Sequence, residues 1–483
     1  MIWQALIKSV KSDYFKMVPI LALAFFMAFI PHINYPYALH VDEWVHIAQS
    51  NALLQTGSVF YPDPFPGQES GIISIRLELG YHLILAVFQN ISGISWMDIA
   101  RFFPSINFVF TVLAVYIFAK RMGFGWEAAF FTTLIPTTVG VMGPAFLIPV
   151  AMALMFAPLL LYLSFNYKTI WSYLILSIFI PFLVILHAPS AILIIIVLVP
   201  FILLGLKDEP KHSLTVTLAI SASFLVTQPW TYDLIIAESK FLFVPKPLWT
   251  DHDYFQLIPG YGYIPIAFCL IGTFVLAVKG TRKTYSLVGG LLALLAILAV
   301  SYTLHYGINN VYFRCLLFAM LMMGIVAGAG LKELRKLDLP WINSYRPTKL
   351  RIAQVLLCLT VIGATLTITI PARQAIPYYH MIDKADYEAF VWIRDNVEPS
   401  LQKAILDPWK ATAFAALTEK RVYTRIHSAP TTISQQTYAF IKSGSTNTTF
   451  LLENRISIVY TRIYEGNRNV EYEVNNHDLI KVA

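Results

Sequence analysis

Residues 170–206 read IWSYLILSIFIPFLVILHAPSAILIIIVLVPFILLGL, and this stretch indicates the class of fold. It contains no Asp, Glu, Lys or Arg. A helix that crosses a bilayer needs about 20 mostly apolar residues, so the stretch is long enough for two crossings. His187-Ala188-Pro189 is the one polar and helix-breaking interruption near its middle. We therefore predict one membrane helix over 170–187 and a second over 189–206.

Apolar stretches of the same kind continue in both directions along the chain. The 483 residues are 57% hydrophobic and only 13% charged, whereas a soluble domain carries about 25% charged residues. A single soluble domain is thus excluded. We predict a polytopic α-helical membrane protein with about 11 transmembrane helices, the others covering 17–35, 102–120, 126–144, 147–165, 213–230, 262–279, 285–304, 311–331 and 352–371.

The remaining composition excludes other classes of protein. The three cysteines lie inside apolar runs, which is typical of lipid- or core-facing thiols and not of a disulfide scaffold. The net charge is +7, but no run of basic residues forms a patch for nucleic acid, so no nucleic-acid partner is expected. The partner that the composition predicts is the lipid bilayer.

Charge bias predicts the orientation of the spans. With the N-terminus in the cytoplasm, the cytoplasmic segments carry seventeen Lys and Arg residues, and the opposite loops before the tail carry four. This split follows the positive-inside rule and requires an odd number of spans. The protein is expected in the cell membrane, with its N-terminus cytoplasmic and its C-terminal tail extracytoplasmic.

The pattern divides the chain into two predicted domains. Residues 1–371 form the transmembrane domain, which includes a first outer loop at 36–101 and a second long outer loop at 231–261. Residues 372–483 form a small soluble extracytoplasmic α/β domain. Its predicted strands are Ala404–Leu406, Arg421–Ile426 and Ser457–Tyr460, and its predicted helices are 384–397, 410–418, 431–442 and 448–455.

The most informative polar stretch begins the first outer loop. Residues 40–48 read HVDEWVHIA, so two adjacent acids, Asp42 and Glu43, lie beside two imidazoles where the chain leaves the lipid. One interpretation is a solvated loop whose acids only reinforce topology. Helix-like spacing over Glu43–Leu54 and Gly80–Phe88 indicates two amphipathic helices in this loop.

The order of features in residues 40–123 resembles the GT-C superfamily of membrane glycosyltransferases, which use polyprenyl-phosphate-linked sugars. In that family a first span leads to Asp-Glu, a surface helix, a Gly turn, a Pro-rich segment and a second surface helix before an Arg and a Pro. The loop is similar to that of protein mannosyltransferases and aminoarabinose transferases. The residues that carry the resemblance are Asp42-Glu43, Ala48, Gly57, Pro62, Pro64, Pro66, Leu79-Gly80-Tyr81-His82, Gly93, Arg101 and Pro104.

The resemblance implies a catalytic role for the two acids. Asp42 is expected to be the base that takes a proton from the acceptor, and Glu43 a supporting hydrogen-bond acceptor. His46 lies one helical turn beyond Asp42 and is expected to orient it, although an ordinary interfacial helix residue would look the same. Either acid could also ligate a divalent cation such as Mg or Mn.

Metal dependence is where the sequence departs from part of the family. Metal-using members place a second acidic motif in the outer turn between the third and fourth spans. Here that turn, 139–146, reads VGVMGPAF and has no carboxylate. A metal site at Asp42 would have to borrow Asp251 or Asp253 from the second outer loop, where a solvated acidic loop is the alternative.

The resemblance also implies residues that bind the substrate. Arg314 lies at the outer end of the tenth predicted span, where GT-C enzymes hold the lipid-linked phosphate with an Arg. Snorkelling of Arg314 to the headgroups is the alternative. Arg101, Lys246 and His305 are further candidates for binding the substrate.

The tail is similar in element order to the catalytic subunit of oligosaccharyltransferase. That enzyme carries Trp-Trp-Asp-Tyr-Gly after its first strand, whereas this chain has Asp407-Pro408-Trp409-Lys410. The departure argues against recognition of an Asn-X-Ser/Thr acceptor. We expect transfer of a sugar from a polyprenyl-phosphate-linked donor to a glycan, lipid or protein acceptor on the extracytoplasmic face, with inversion at C1. The alternative is a membrane transporter or lipid-linked-glycan flippase, which internal repeats and charges near mid-membrane would favour.

Overall fold

A computed structural model describes residues 13–65, 78–139, 142–239, 257–304, 309–335, 347–376, 378, 380–426, 430–462 and 474–482. The chain forms two compact units. The first, which we call the helical unit, comprises Met1–Asn34 and Arg101–Pro377. The second, which we call the mixed unit, comprises Tyr35–Ala100 and Tyr378–Ala483. The first outer loop and the C-terminal tail, which are distant in sequence, therefore belong to one unit.

Long helices dominate the helical unit. A helix can cross a bilayer because its backbone polar groups bond to one another, provided that its side chains are mostly apolar. These helices are apolar and carry few charges. In chain order they are α1 (Asp13–Phe29, followed by a 3-10 turn at Ile30–His32), α4 (Trp96–Met122, whose first residues count with the mixed unit), α5 (Gly125–Thr132), α6 (Pro149–Asn166), α7 (Ile170–Asp208), α8 (Pro210–Ser239), α9 (Leu257–Tyr261), α10 (Tyr263–Lys279), α11 (Arg282–Leu304), α12 (Asn309–Leu334) and α13 (Pro347–Gln374).

Within the described residues, seven helices are long and apolar enough to cross a membrane, so the protein is a multi-pass membrane protein. They are α1 with its 3-10 turn, α4, α6, α7, α11, α12 and α13. Helix α10 is apolar but has only 17 residues. The total of about 11 spans and the orientation of the termini stay predictions.

Helix α7 shows how the stretch at 170–206 folds. It runs for 39 residues, about 58 Å at 1.5 Å per residue, which is roughly twice the hydrocarbon thickness of a bilayer. His187 has non-helical backbone angles (φ −166°, ψ 92°), so two helical arms meet there. Pro189 lacks the N–H that would continue the hydrogen-bond ladder. The break thus lies at the predicted boundary between the two helices, and two separate crossings of the membrane stay a prediction.

The predicted span over 126–144 needs correction. Helix α5 ends at Thr132, and the described residues that follow form turns and an isolated bridge between Val139 and Met142. Pro136 supplies no backbone N–H and disfavours a helical conformation in the residue before it. An apolar sequence was therefore mistaken for a continuous helix.

Helix α12 forms the core of the helical unit and is almost wholly buried. Its neighbours approach closely because glycines lie at the crossings. A Cβ atom at Gly272 of α10 would lie 2.0 Å from the carbonyl oxygen of Val326 in α12. A Cβ at Gly328 would lie 2.4 Å from the backbone nitrogen of Ala128 in α5. Small residues at crossings of this kind let membrane helices pack backbone to backbone.

The mixed unit combines the two loop helices with a small sheet. Helices α2 (Val41–Thr56) and α3 (Leu79–Ser92) come from the first outer loop, as predicted. The tail contributes α14 (Lys384–Asn396), β1 (Lys403–Ile405), α15 (Ala411–Thr418), β2 (Arg421–Val422), α16 (Thr432–Lys442), α17 (Thr448–Glu453) and β3 (Ile458–Val459).

The three strands form a parallel sheet in the order β2-β1-β3, with Ala404 opposite both Val422 and Ile458. Parallel strands need crossover connections, and helices supply them here. Each predicted tail strand and helix is present, with ends that differ by a few residues. The extracytoplasmic location of this α/β part stays a prediction.

Helices from the loop and the tail share buried contacts in the mixed unit. Helix α2 packs against both α3 and α15. The Asn51 side-chain amide of α2 donates to the carbonyl oxygen of Ala416 in α15 at 2.9 Å, and the indole N–H of Trp96 donates to the Asn51 amide oxygen at 2.5 Å. Because these groups are largely removed from water, their hydrogen bonds fix how the loop helix lies on the tail.

Candidate active site

The first turn of α2 is held by a capping box. His40 is the N-cap residue with extended backbone angles, and its Nδ1 accepts from the backbone N–H of Asp42 at 3.3 Å. The Glu43 carboxylate turns back and accepts from the backbone N–H groups of Leu39 (2.5 Å) and His40 (2.9 Å). These bonds satisfy backbone donors near the helix start. The two acids of the predicted site therefore sit in one well-defined turn.

Asp42 and Glu43 have different surroundings although they are adjacent. Glu43 is fully buried, whereas the side chain of Asp42 is 18% exposed. The Asp42 carboxylate lies 3.7 Å from Nδ1 of His40. Negative charge in the first turn of a helix is also stabilised by the helix dipole. Asp42 is thus the acid of the pair that retains contact with solvent.

A buried arginine from the tail lies near Asp42. Arg425 is 5% exposed, and its guanidinium carbon stacks 4.3 Å from the centre of the Phe65 ring. Burial lowers the pKa of Arg425, and the negative charges of Asp63 and Asp42 act in the opposite direction. Asp63 is oriented by bonds from the Phe65 backbone N–H (2.9 Å) and the Gln49 side chain (3.2 Å). The positive charge of the buried Arg425 thus interacts electrostatically with two carboxylates from the first outer loop.

His46 contacts residues of α3. Its Nδ1 lies 3.0 Å from Nε2 of His82 and 3.7 Å from the Glu78 carboxylate, and its ring packs edge-on against Tyr81. Burial lowers the pKa of His82 to about 3, so this imidazole is neutral at ordinary pH. The predicted role of His46 in orienting Asp42 stays a prediction.

The tail segment that replaces Trp-Trp-Asp-Tyr-Gly is built around buried charges. Nζ of Lys410 lies 3.1 Å from Asp386, and both side chains are almost fully buried. Asp407 accepts from the Trp409 backbone N–H at 3.0 Å and from the Tyr438 hydroxyl at 3.1 Å. Burial raises the pKa of Asp407. The segment is therefore anchored by a network of hydrogen bonds.

Arg314 lies on α12 in the helical unit. Its Nε donates to Nε2 of His187 at 2.8 Å, at the break between the two arms of α7. Since Nε2 accepts this bond, the His187 proton resides on Nδ1, which lies 2.6 Å from the Ser190 hydroxyl. The charge predicted to bind phosphate is thus oriented by the helix break that the sequence marks.

Arg101 also belongs to the helical unit. Its guanidinium lies over the rings of Phe29 (5.6 Å) and Phe102 (5.4 Å), which is cation–π geometry. Its predicted role in substrate binding stays a prediction. The other candidate ligands from the sequence lie outside the described residues: Lys246, Asp251, Asp253 and His305.

Four residues that were not predicted for the site are connected to it in the fold. Arg425 interacts electrostatically with Asp42 and Asp63, and Glu78 and His82 lie close to His46. The spacing of Glu78 and His82, four residues apart at a helix start, was a signal that they share a face. No local signal connected Arg425 to the first outer loop.

No family model matches the sequence, and no curated protein matches it significantly. Solved structures do. The oligosaccharyltransferase AglB of Archaeoglobus fulgidus, in complex with an inhibitory peptide and a dolichol-phosphate, is 11% identical over 92% of this chain and 69% of its own, with a TM-score of 0.58. A complex of the Archaeoglobus fulgidus oligosaccharyltransferase with Zn and sulfate is 11% identical over 91% of this chain and 67% of its own, with a TM-score of 0.54.

A second enzyme gives the same result over nearly the full length of both chains. ArnT of Cupriavidus metallidurans, bound to undecaprenyl phosphate, is 12% identical over 93% of this chain and 96% of its own, with a TM-score of 0.52. Identities this low show the fold and not the activity. The resemblance predicted from residues 40–123 is confirmed at that level: the chain has the fold of the GT-C membrane glycosyltransferases.

Proposed function

We propose that this protein is a membrane glycosyltransferase. It transfers a sugar from a polyprenyl-phosphate-linked donor to a glycan, lipid or protein acceptor on the extracytoplasmic face. The observation that carries the proposal is the turn at the start of α2, where the capping box fixes a partly exposed Asp42 near the buried Arg425. The GT-C fold supports the reaction class, and the charge bias of the loops supports the face.

The proposed reaction is a displacement at C1 of the sugar. An acceptor hydroxyl or amide attacks C1, its proton passes to the Asp42 carboxylate, and a new bond to C1 forms with inversion. The bond between C1 and the phosphate oxygen breaks, and its electron pair leaves with the polyprenyl phosphate. A carboxylate within hydrogen-bond reach of the acceptor can serve as this base.

The surrounding charges receive distinct roles in the proposal. Arg314 binds the lipid-linked phosphate, because a guanidinium can hold two phosphate oxygens at once. Arg425 is a positioning residue that holds Asp42 and Asp63 in place. No step is assigned to Mg or Mn, because the acids expected to complete such a site with Asp42 lie outside the described residues.

The nature of the donor rests on two of the structural neighbours. One was solved with dolichol-phosphate and the other with undecaprenyl phosphate. Both ligands are long polyprenyl chains that end in a phosphate, and the apolar helices of this chain suit a donor that stays in the bilayer.

The test is transfer of labelled sugar from a panel of polyprenyl-phosphate donors, in membranes that contain the protein and extracts that supply acceptors. Wild type is compared with Asp42→Asn, an isosteric change that removes the base. Asp98→Asn is the matched control, since Asp98 is also a first-turn acid of a helix and, among the described residues, its hydrogen bonds are to the adjacent turn at Ser95.

We expect transfer with wild type and with Asp98→Asn, and a loss of about 10²–10⁴-fold with Asp42→Asn, the range typical of general-base catalysis. Full activity of a folded Asp42→Asn protein would refute the assignment of the base. Movement of a labelled polyprenyl lipid across reconstituted vesicles, with no donor consumed, would instead support the flippase alternative.

A further inference from the structure

Three side chains that commonly bind metals converge between α2 and α3, and none of them is an acid assigned to catalysis. They are His46, Glu78 and His82, and one ligand atom of each lies within 4.8 Å of the others. Nδ1 of His46 is 3.0 Å from Nε2 of His82 and 3.7 Å from a carboxylate oxygen of Glu78. All three belong to the mixed unit.

Local structure explains why these atoms face one another. Glu78 is the N-cap residue of α3, and His82 follows four residues later, so both side chains lie on one face of that helix. His46 lies on α2, which packs against α3. The packing is secured by an apolar cluster that includes Leu53 of α2 and Ala86 of α3. The cluster thus fixes the two ligand-bearing helices together.

We propose that His46, Glu78 and His82 bind a divalent transition-metal ion, with zinc the expected occupant. Two imidazoles and one carboxylate form a set that suits zinc, whereas magnesium and calcium prefer oxygen ligands only. Three protein ligands leave a fourth tetrahedral position for water or another small ligand.

The observed spacing is compatible with such an ion after small side-chain movements. With metal–ligand bonds of about 2.0–2.1 Å, tetrahedral geometry separates ligand atoms by about 3.3 Å. The two measured distances, 3.0 and 3.7 Å, lie on either side of this value. The two imidazoles are almost fully buried, while Glu78 retains 26% of its side-chain exposure. Glu78 is therefore the ligand of the three that is most accessible to solvent.

This inference does not depend on the proposed glycosyl transfer. It concerns only the binding of an ion by three side chains. A bound ion would join α3 to α2 one helical turn from Asp42. Without the ion, Nδ1 of His46 and Nε2 of His82 share a single hydrogen bond.

The experiment uses the full-length, tag-free protein in detergent, stripped with a chelator and titrated with Co²⁺ and then with Zn²⁺. A tetrahedral Co²⁺ site with nitrogen ligands gives strong visible absorption, whereas octahedral oxygen sites absorb weakly. We expect one strongly absorbing Co²⁺ per chain, displaced by one equivalent of Zn²⁺. The variants are His82→Asn and Glu78→Gln, and the matched controls are His477→Asn and Glu388→Gln, whose side chains are exposed.

Loss of a residue that only supports a metal ligand typically weakens metal binding about 10–100-fold. Each cluster variant removes a ligand and is expected to weaken Co²⁺ binding by more than this. The controls should bind as wild type does. Glu78→Gln decides the matter if His82→Asn does not fold, because Glu78 is partly exposed and its side chain makes no capping bond in α3. Wild type without the strong absorption, or cluster variants that bind like the controls, would overturn the site. Absorption does not require turnover, so this result and a failure of the transferase assay are distinguishable.

Discussion

The Glu43 carboxylate accepts a hydrogen bond from the backbone N–H of His40 at 2.9 Å, while His40 caps the same helix from the other side. Because of this reciprocal pair, Glu43 and Asp42 have different surroundings, although they are adjacent acids in the sequence. Glu43 is buried and bonded to the backbone, so it stabilises the turn. Asp42 projects from that turn and keeps contact with solvent.

Substitution of Glu43 should reduce stability before it affects chemistry. Glu43→Ala leaves the backbone N–H groups of Leu39 and His40 without this acceptor in a buried turn, which should cost about 1–3 kcal/mol. Glu43→Gln keeps an acceptor oxygen and should lose less. Thermal unfolding of the purified protein measures both changes. Equal losses in the two variants would show that the charge matters and not the hydrogen bond.

Removal of Arg425 should impair transfer while the fold persists. Arg425→Ala removes the buried positive charge that interacts with Asp42 and Asp63, so both carboxylates lose their proposed positioning partner. Arg425→Lys keeps the charge but loses the planar stack on Phe65 and should recover only part of the activity. We expect a fall of about 10-fold or more in kcat, in the manner of a misplaced catalytic group. Transfer assays on membranes that contain the folded variants measure this fall in kcat.

The control for Arg425 is a neighbouring arginine on the strand that precedes it. Arg421 is exposed, and Arg421→Ala should leave transfer unchanged. If both alanine variants lose activity equally, the effect comes from disturbance of the strand and not from the cation beside Asp42.

Arg314 and His187 should act together on donor binding. Arg314→Lys retains a positive charge but cannot hold two phosphate oxygens in a fixed fork, so the KM for the donor should rise. His187→Ala removes the acceptor that orients Nε of Arg314 and should raise the same KM by a smaller factor. The double variant should be no worse than Arg314→Lys alone. Additive losses would contradict a shared role.

The ion pair between Lys410 and Asp386 should contribute strongly to the stability of the mixed unit. Lys410→Met leaves the buried Asp386 without this partner, and breaking a buried pair costs about 3–5 kcal/mol. Tyr460 and Arg462 also contact Asp386, which favours the lower end of that range. Lys384→Met is the control: its pair with Glu388 is exposed and should matter little. Thermal unfolding compares the two.

Acid should reveal the contact between Arg462 and Asp383. The hydrogen bond from Arg462 lowers the pKa of Asp383 to about 2, from an ordinary value near 3.8. A lowered pKa stabilises the fold above the ordinary value, and this stability is lost as the pH falls towards 2. The melting temperature of wild type should therefore fall more steeply between pH 4 and pH 2 than that of Arg462→Gln. Parallel curves would show that the contact does not contribute.

The local elements follow from the sequence because their causes are local. Apolar runs set the long helices, and the Ser/Thr/Asp capping pattern places the start of α14 directly after Asp383. The predicted tail strands and helices appear in the predicted order. The failure at 126–144 has an equally local cause, since hydropathy does not report the effect of Pro136 on the backbone.

Local patterns in the sequence were enough to predict that the chain enters a membrane and that Asp42 and Glu43 begin a helix after the first span. Only the tertiary structure brought Arg425 to Asp42, joined His82 and Glu78 to His46, and united residues 35–100 with the tail in one unit. Periodicity and capping act over a few residues, and the sequence shows them directly. Contacts between distant segments depend on which buried faces fit together, and that is settled only when the whole chain packs.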